Sequence, residues 1–158
     1  MTNSYDIPKR PQNFDKTNAH IHVSRPALKP IVWGVLIGAI QTASPLAIRW
    51  LEAATVQSVC IALIAAVYVG FAVADGRTKV IVVETTIAPV FLVVALVGIT
   101  ASAWVLVAGY AAHGAKDLWQ HRTQFVAGTR WWPPFCATID FIVAAVIAVE
   151  IIAGLSFH

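Results

Sequence analysis

The stretch AAHGAKDLWQH, residues 111–121, sets His113, Lys116, Asp117, Gln120 and His121 at the end of an apolar run that begins near Ala101. Asp75, Glu84, Cys136 and Asp140 also stand in or beside apolar runs. Carboxylates and imidazoles are the side chains that exchange protons and hold metal ions. A carboxylic acid withdrawn from water favours its neutral form, so a buried Asp or Glu can donate a proton at neutral pH. At about 100° per residue, His113, Asp117 and His121 form one stripe about 80° wide on a helix. Tyr110 falls inside that stripe, and Lys116 and Gln120 flank it.

Three chemistries use this set. The first is acid–base catalysis on a lipid or isoprenoid, by isomerisation or protonation-initiated cyclisation, with no cofactor. Asp117 or Glu84 is the expected donor, with Asp140, His113, His121 and Asp75 in support. Tyr110, Phe71, Phe135, Trp119, Trp131 and Trp132 are the candidate pocket walls, whose aromatic faces stabilise cations. The second is a divalent metal ion held by a subset of His113, Asp117, His121, Glu84 and Asp140, for hydrolysis or oxidation. Residues one turn apart can chelate together. The whole stripe rises about 12 Å, too far for all three members to share one ion. The third is a proton or ion pathway, or a small subunit of a larger complex.

Plainer roles exist for most of these residues. Asp75 can pair with Arg77 or Lys79. Lys116 can pair with Asp117 or Gln120, or snorkel to the interface. His121 and Arg122 suit a helix C-terminus, and Asp140 suits an early turn. Cys136 reads as a small apolar residue, and Gln41 as an interhelical hydrogen bond. His20 and His22 form an H-x-H pair in a polar arm and read as solvated.

The elements that must position these groups are membrane helices. Of 158 residues, 58% are apolar and 12% charged, about half the charged share of a soluble domain; the mean hydropathy is +0.73. Residues 1–29 are polar with three prolines, a fourth following at Pro30, and read as an irregular arm, with no signal-peptide pattern. Residues 30–158 read as one all-α domain of five transmembrane helices: Ile31 to about Trp50, Val56–Ala74, Val80 to about Ile99, Ala101 to about His121 and Phe135 to about Leu155. Each run approaches the roughly 20 residues a crossing needs. Pro45 and Pro89 are expected kinks, and Pro133 and Pro134 an expected helix start.

Five crossings put Lys9, Arg10, Lys16, Arg25, Lys29, Arg77, Lys79, Arg122 and Arg130 on one side and Arg49 on the other. That bias makes the N-terminal side cytoplasmic. Asp75, Glu84, His113, Asp117, His121 and Asp140 then fall in one leaflet, an arrangement expected to line an interior pocket. The basic residues are a topology signal, and nucleic acid is not an expected partner. Two cysteines, Cys60 and Cys136, give no disulfide framework.

The strings VYVGFAVADG (67–76), HGAKDLWQH (113–121) and WWPPFCATIDF (131–141) together resemble a family of small bacterial integral membrane proteins catalogued only as a domain of unknown function. The likeness covers roughly residues 60–145. Where that family carries a tryptophan before the central Asp and a doubled histidine at the motif's end, this chain has Lys116 and Gln120. The resemblance implies a multi-pass protein of a bacterial inner membrane carrying this polar cluster, and no reaction. The expected partners are the bilayer, a membrane lipid or isoprenoid substrate, and a second copy of the chain.

Overall fold

The computed structural model describes residues 28–48 and 51–154. It is all-α, with five helices: α1 Leu28–Ala47, α2 Ala53–Asp75, α3 Thr78–Thr100, α4 Ala103–Thr123 and α5 Trp132–Ile152. The apolar runs and their breakers account for these bounds. Gly76 closes α2 in the left-handed region at φ 77°, and its N–H donates to the Ala72 carbonyl. The Ser102 hydroxyl caps α4 by accepting from the Trp104 N–H at 3.3 Å. Prolines in the first turn of α5 start that helix where their missing N–H costs nothing. Leu28 and Lys29, expected in the arm, belong to α1. The rest of the arm, with His20 and His22, lies outside the described residues, as do Arg49, Trp50 and Leu155.

Of the five expected spans, α2, α3 and α5 are long and apolar enough to cross a membrane. In α4, His113, Lys116, Asp117, Gln120, His121 and Arg122 dilute the apolar residues. That helix turns His113, Asp117 and Gln120 inward and is not span-like by composition.

The packing departs from that of a water-soluble bundle in its apolar exterior and in the polar groups set within an apolar core. Glu84, His113, Asp117, Gln120 and Asp140 are buried, while Val82, Val90, Leu92, Val93 and Leu96 of α3 are exposed, as are Val32, Val35 and Leu36 of α1. A belt of exposed apolar side chains over several helices calls for a lipid surround. Helix α4 packs on α5 and α3, α2 on α3, and α1 on α5. Small residues set the closest approaches. A Cβ at Gly34 would lie 2.7 Å from Thr138 Cβ, and one at Gly38 3.3 Å from Ile142 Cγ2, so this G-x-x-x-G seats α1 on α5. A Cβ at Gly114 would lie 3.2 Å from that of Asp140, so the missing side chain lets α4 and α5 close beside the polar centre.

Candidate functional site

The ends of α2 and α4 and the starts of α3 and α5 meet at one end of the bundle. Counted inward at 1.5 Å per residue, Glu84 and Asp117 lie about 9 Å from that end, Tyr68 about 10 Å, Asp140 about 12 Å and His113 about 15 Å. Four helices therefore bring their polar groups to neighbouring depths.

His113, Asp117 and Asp140 form the centre, and each is fully buried at 0% exposure. His113 Nδ1 lies 2.8 Å from Asp140 Oδ2 and 3.6 Å from Asp117 Oδ2. One candidate ligand atom from each of the three residues falls within 4.8 Å of the other two. Among the described residues, His113 Nε2, both Asp117 oxygens and Asp140 Oδ1 have no hydrogen-bond partner. The edge of Phe91 stands 4.8 Å from the imidazole, centroid to centroid, and Tyr68 covers it at 5.8 Å.

Beside this centre, Lys116 Nζ lies 2.8 Å from Glu84 Oε2 and 4.0 Å from the centroid of the Tyr68 ring. Gln120 Nε2 donates to the other Glu84 oxygen. Lys116 thus pairs with Glu84 on α3, rather than with Asp117 or Gln120 on its own helix. Tyr68 bridges the two groups, since its ring meets both Lys116 and His113.

The charge count is uneven. Glu84, Asp117 and Asp140 can bring three negative charges and Lys116 one positive. A neutral His113 leaves a sum of −2, and a protonated His113 still leaves −1. Net charge in a water-free interior is costly, so it is met by protons or by a bound cation.

A second polar group lies toward the other end. Gln41 Nε2 donates to Gln57 Oε1 at 2.8 Å and to the Tyr110 hydroxyl at 3.1 Å. The Tyr110 hydroxyl donates to the Gln57 carbonyl at 2.7 Å. Gln41 makes the interhelical bond expected of it, and Tyr110 belongs to this network rather than to a substrate wall.

Other expected site residues stand apart. His121 is exposed. Seven residues after His113, Gln120 returns to about 20° from it, whereas His121 stands about 80° away, so the buried stripe ends on Gln120. Asp75 serves the rim. It accepts from Arg77 Nε at 2.6 Å and from the Ala127 N–H at 2.7 Å, while Arg77 Nη2 donates to the Phe125 carbonyl at 2.6 Å. This clasp ties the α4–α5 loop to the α2–α3 turn and holds the Arg77 guanidinium above its ordinary pKa. Trp119 and Trp131 are exposed, at 45% and 42%. Phe71, Trp132 and Phe135 form an aromatic group at the bundle end, with Phe71 5.4 Å from Trp132 and 5.9 Å from Tyr68. Tyr68 itself was missed from the sequence. Its signal was a phenol in the middle of an otherwise apolar helix, whose hydroxyl needs a reason to be there.

Chemically, the centre can pass a proton between an imidazole and two carboxylates, or hold a cation among them. No family model, no curated protein and no solved structure matches the chain.

Proposed function

We propose that this chain is a multi-pass protein of a bacterial inner membrane and that it carries out acid–base chemistry on a hydrophobic lipid or isoprenoid. The reactive centre in this reading is His113, Asp117 and Asp140. One observation carries it: the centre is fully buried and rich in acid, and four of its polar atoms lack partners. Structural polar groups in an apolar interior are normally satisfied. Groups left unsatisfied are the ones free to exchange a proton with something else.

Asp140 orients the imidazole from α5, as a carboxylate beside a histidine does in proton-transfer sites. Asp117 is the exchangeable acid. The Glu84–Lys116 pair keeps one cation close without neutralising Asp117. Because the centre is covered, a substrate reaches it when the bundle parts. The cover at the near end is the loop after α4, whose Val126 packs on Tyr68, Ala72 and Val80. In this reading all five helices cross, α1 packed on α5 and α4 between α3 and α5, with the N-terminus cytoplasmic.

The closed centre also favours a second reading, a proton pathway, because a proton needs no cavity. Polar groups recur along the bundle, Glu84 on α3, His113 and Tyr110 on α4 and Gln41 on α1.

Lipid extracts of bacterial membranes holding equal amounts of wild type and Asp117→Asn separate the two. A lipid consumed or formed only with wild type supports the enzyme. Unchanged lipids, with Asp117-dependent acidification of dye-loaded proteoliposomes, support the pathway. Neither effect rejects the centre as functional.

A further inference from the structure

We infer that His113, Asp117 and Asp140 bind one divalent first-row metal ion, of the zinc, manganese or iron(II) class. This rests on the reading of the same three residues as the functional centre, and it names what that centre holds.

The first argument is geometric. Three ligand atoms bound to one tetrahedral ion at about 2.0–2.1 Å stand about 3.3 Å from one another. Here Nδ1 is 2.8 Å from Asp140 Oδ2 and 3.6 Å from Asp117 Oδ2, and the ligand atoms all fall within 4.8 Å. The three residues converge from two helices, and Gly114 permits the approach.

The second is the state of the atoms. Both oxygens of Asp117 are buried with no hydrogen-bond partner among the described residues, as are Asp140 Oδ1 and His113 Nε2, and His113 Nδ1 stands 3.6 Å from Asp117 Oδ2. A carboxylate that serves only packing does not stay in that condition, because an unpaired buried polar group costs more than its hydrogen bond returns. An ion between the three residues removes that cost at Asp117 and takes over the hydrogen bond between His113 Nδ1 and Asp140 Oδ2.

The third is charge. Three carboxylates, those of Glu84, Asp117 and Asp140, stand beside a single ammonium, that of Lys116, so the cluster has room for a further cation. Glu84 holds Lys116 at 2.8 Å, so the ammonium answers that carboxylate and leaves Asp117 and Asp140 for the ion. One imidazole with two carboxylates and no thiolate suits zinc, manganese or iron(II) better than copper(I). The ion completes the acid–base centre. Held there, such an ion would supply an acidified water for proton transfer.

The test uses the full-length protein, purified in detergent, stripped with a chelator, then loaded with zinc or manganese and desalted. Metal per chain is measured for wild type, Asp117→Asn, His113→Gln and His121→Gln. Retention of about one ion by wild type and His121→Gln, with at least a tenfold loss in the other two, supports the site. Equal retention by all four means adventitious surface binding and overturns it. Should a variant fail to fold, cobalt(II) loading of wild type still decides. Visible bands of a low-symmetry nitrogen–oxygen site support the proposal, and the spectrum of hydrated cobalt overturns it. If wild type keeps no ion, the proposal fails, and infrared spectra then judge the reading beneath it. Protonated carboxyl bands at neutral pH that change in Asp117→Asn leave acid–base chemistry standing. Their absence removes that as well.

Discussion

The bundle interior holds two polar groups a turn apart on α4, and they are built on opposite principles. The network of Gln41, Gln57 and Tyr110 is neutral, and its Tyr110 hydroxyl and Gln41 amide both find partners. The cluster around His113 is ionisable and leaves Asp117 with none. Neutral, satisfied groups hold helices together inside a membrane. Charged, unsatisfied groups weaken the fold they sit in and are kept for what they do. Both kinds lie on one helix face, so the helix that joins α1 and α2 at one end presents the reactive centre three residues further on. Polarity alone therefore does not separate glue from chemistry. The state of each atom does.

The largest effect belongs to the one charge pair in the second group. Glu84→Ala strands the Lys116 ammonium in an apolar interior, where removing one partner of a buried pair costs about 3–5 kcal/mol. Thermal unfolding in detergent should show a steep fall in stability. Lys116→Met in the same background should recover much of it, because the stranded charge is then gone. A double variant as unstable as Glu84→Ala alone would mean that Glu84 acts through Gln120 instead.

The comparison is sharpest where two substitutions should move stability in opposite directions. Tyr110→Phe removes a hydroxyl from a satisfied network and should cost about 1–2 kcal/mol. Asp117→Asn removes charge from an unsatisfied centre and should raise the stability of chelated, metal-free protein by about 1 kcal/mol, while abolishing activity. Both are read from unfolding curves of the two variants at equal detergent. Destabilisation by Asp117→Asn in metal-free protein would place Asp117 among the structural groups and end the contrast.

Much of this was legible in the sequence, and the remainder was hidden for identifiable reasons. Five apolar runs separated by RWLEA, DGRTK, ITAS and RWWPP announce five helices, since most of these breakers carry charge, glycine or proline. His113 and Asp117 announce themselves as costly residues on one helix face. Their partnership with Asp140 does not, because it spans 27 residues and depends on how α4 settles against α5. The choice of Gln120 over His121 turns on where the helix axis runs, and residue chemistry favoured the histidine. Lys116 looked local and paired across to α3, whose early turns hold Glu84. The expectation of five spans counted α4 by its length, whereas its polar residues lower its hydropathy below that of α2, α3 and α5. Asp75 shared a depth with the cluster, yet its partners, Arg77 and the Ala127 N–H, lie in loops that periodicity does not place.

That rim clasp gives the smallest effect and tests the boundary between the two kinds of group. Arg77 is 57% exposed and its ion pair contributes little to global stability. Its consequence is local, because Asp75 and Arg77 hold the backbone of Phe125 and Ala127 over the bundle end. The loop also contains Gln124 at φ 49° and Gly128 at φ 76°, a geometry that needs outside support. Arg77→Ala should leave the unfolding midpoint nearly unchanged while speeding amide exchange at residues 125–129 several-fold. Exchange in α4 around His113 should stay slow if the helices alone seal the centre. Faster exchange there too would make the loop part of the seal, and would place the substrate's approach at that end of the bundle.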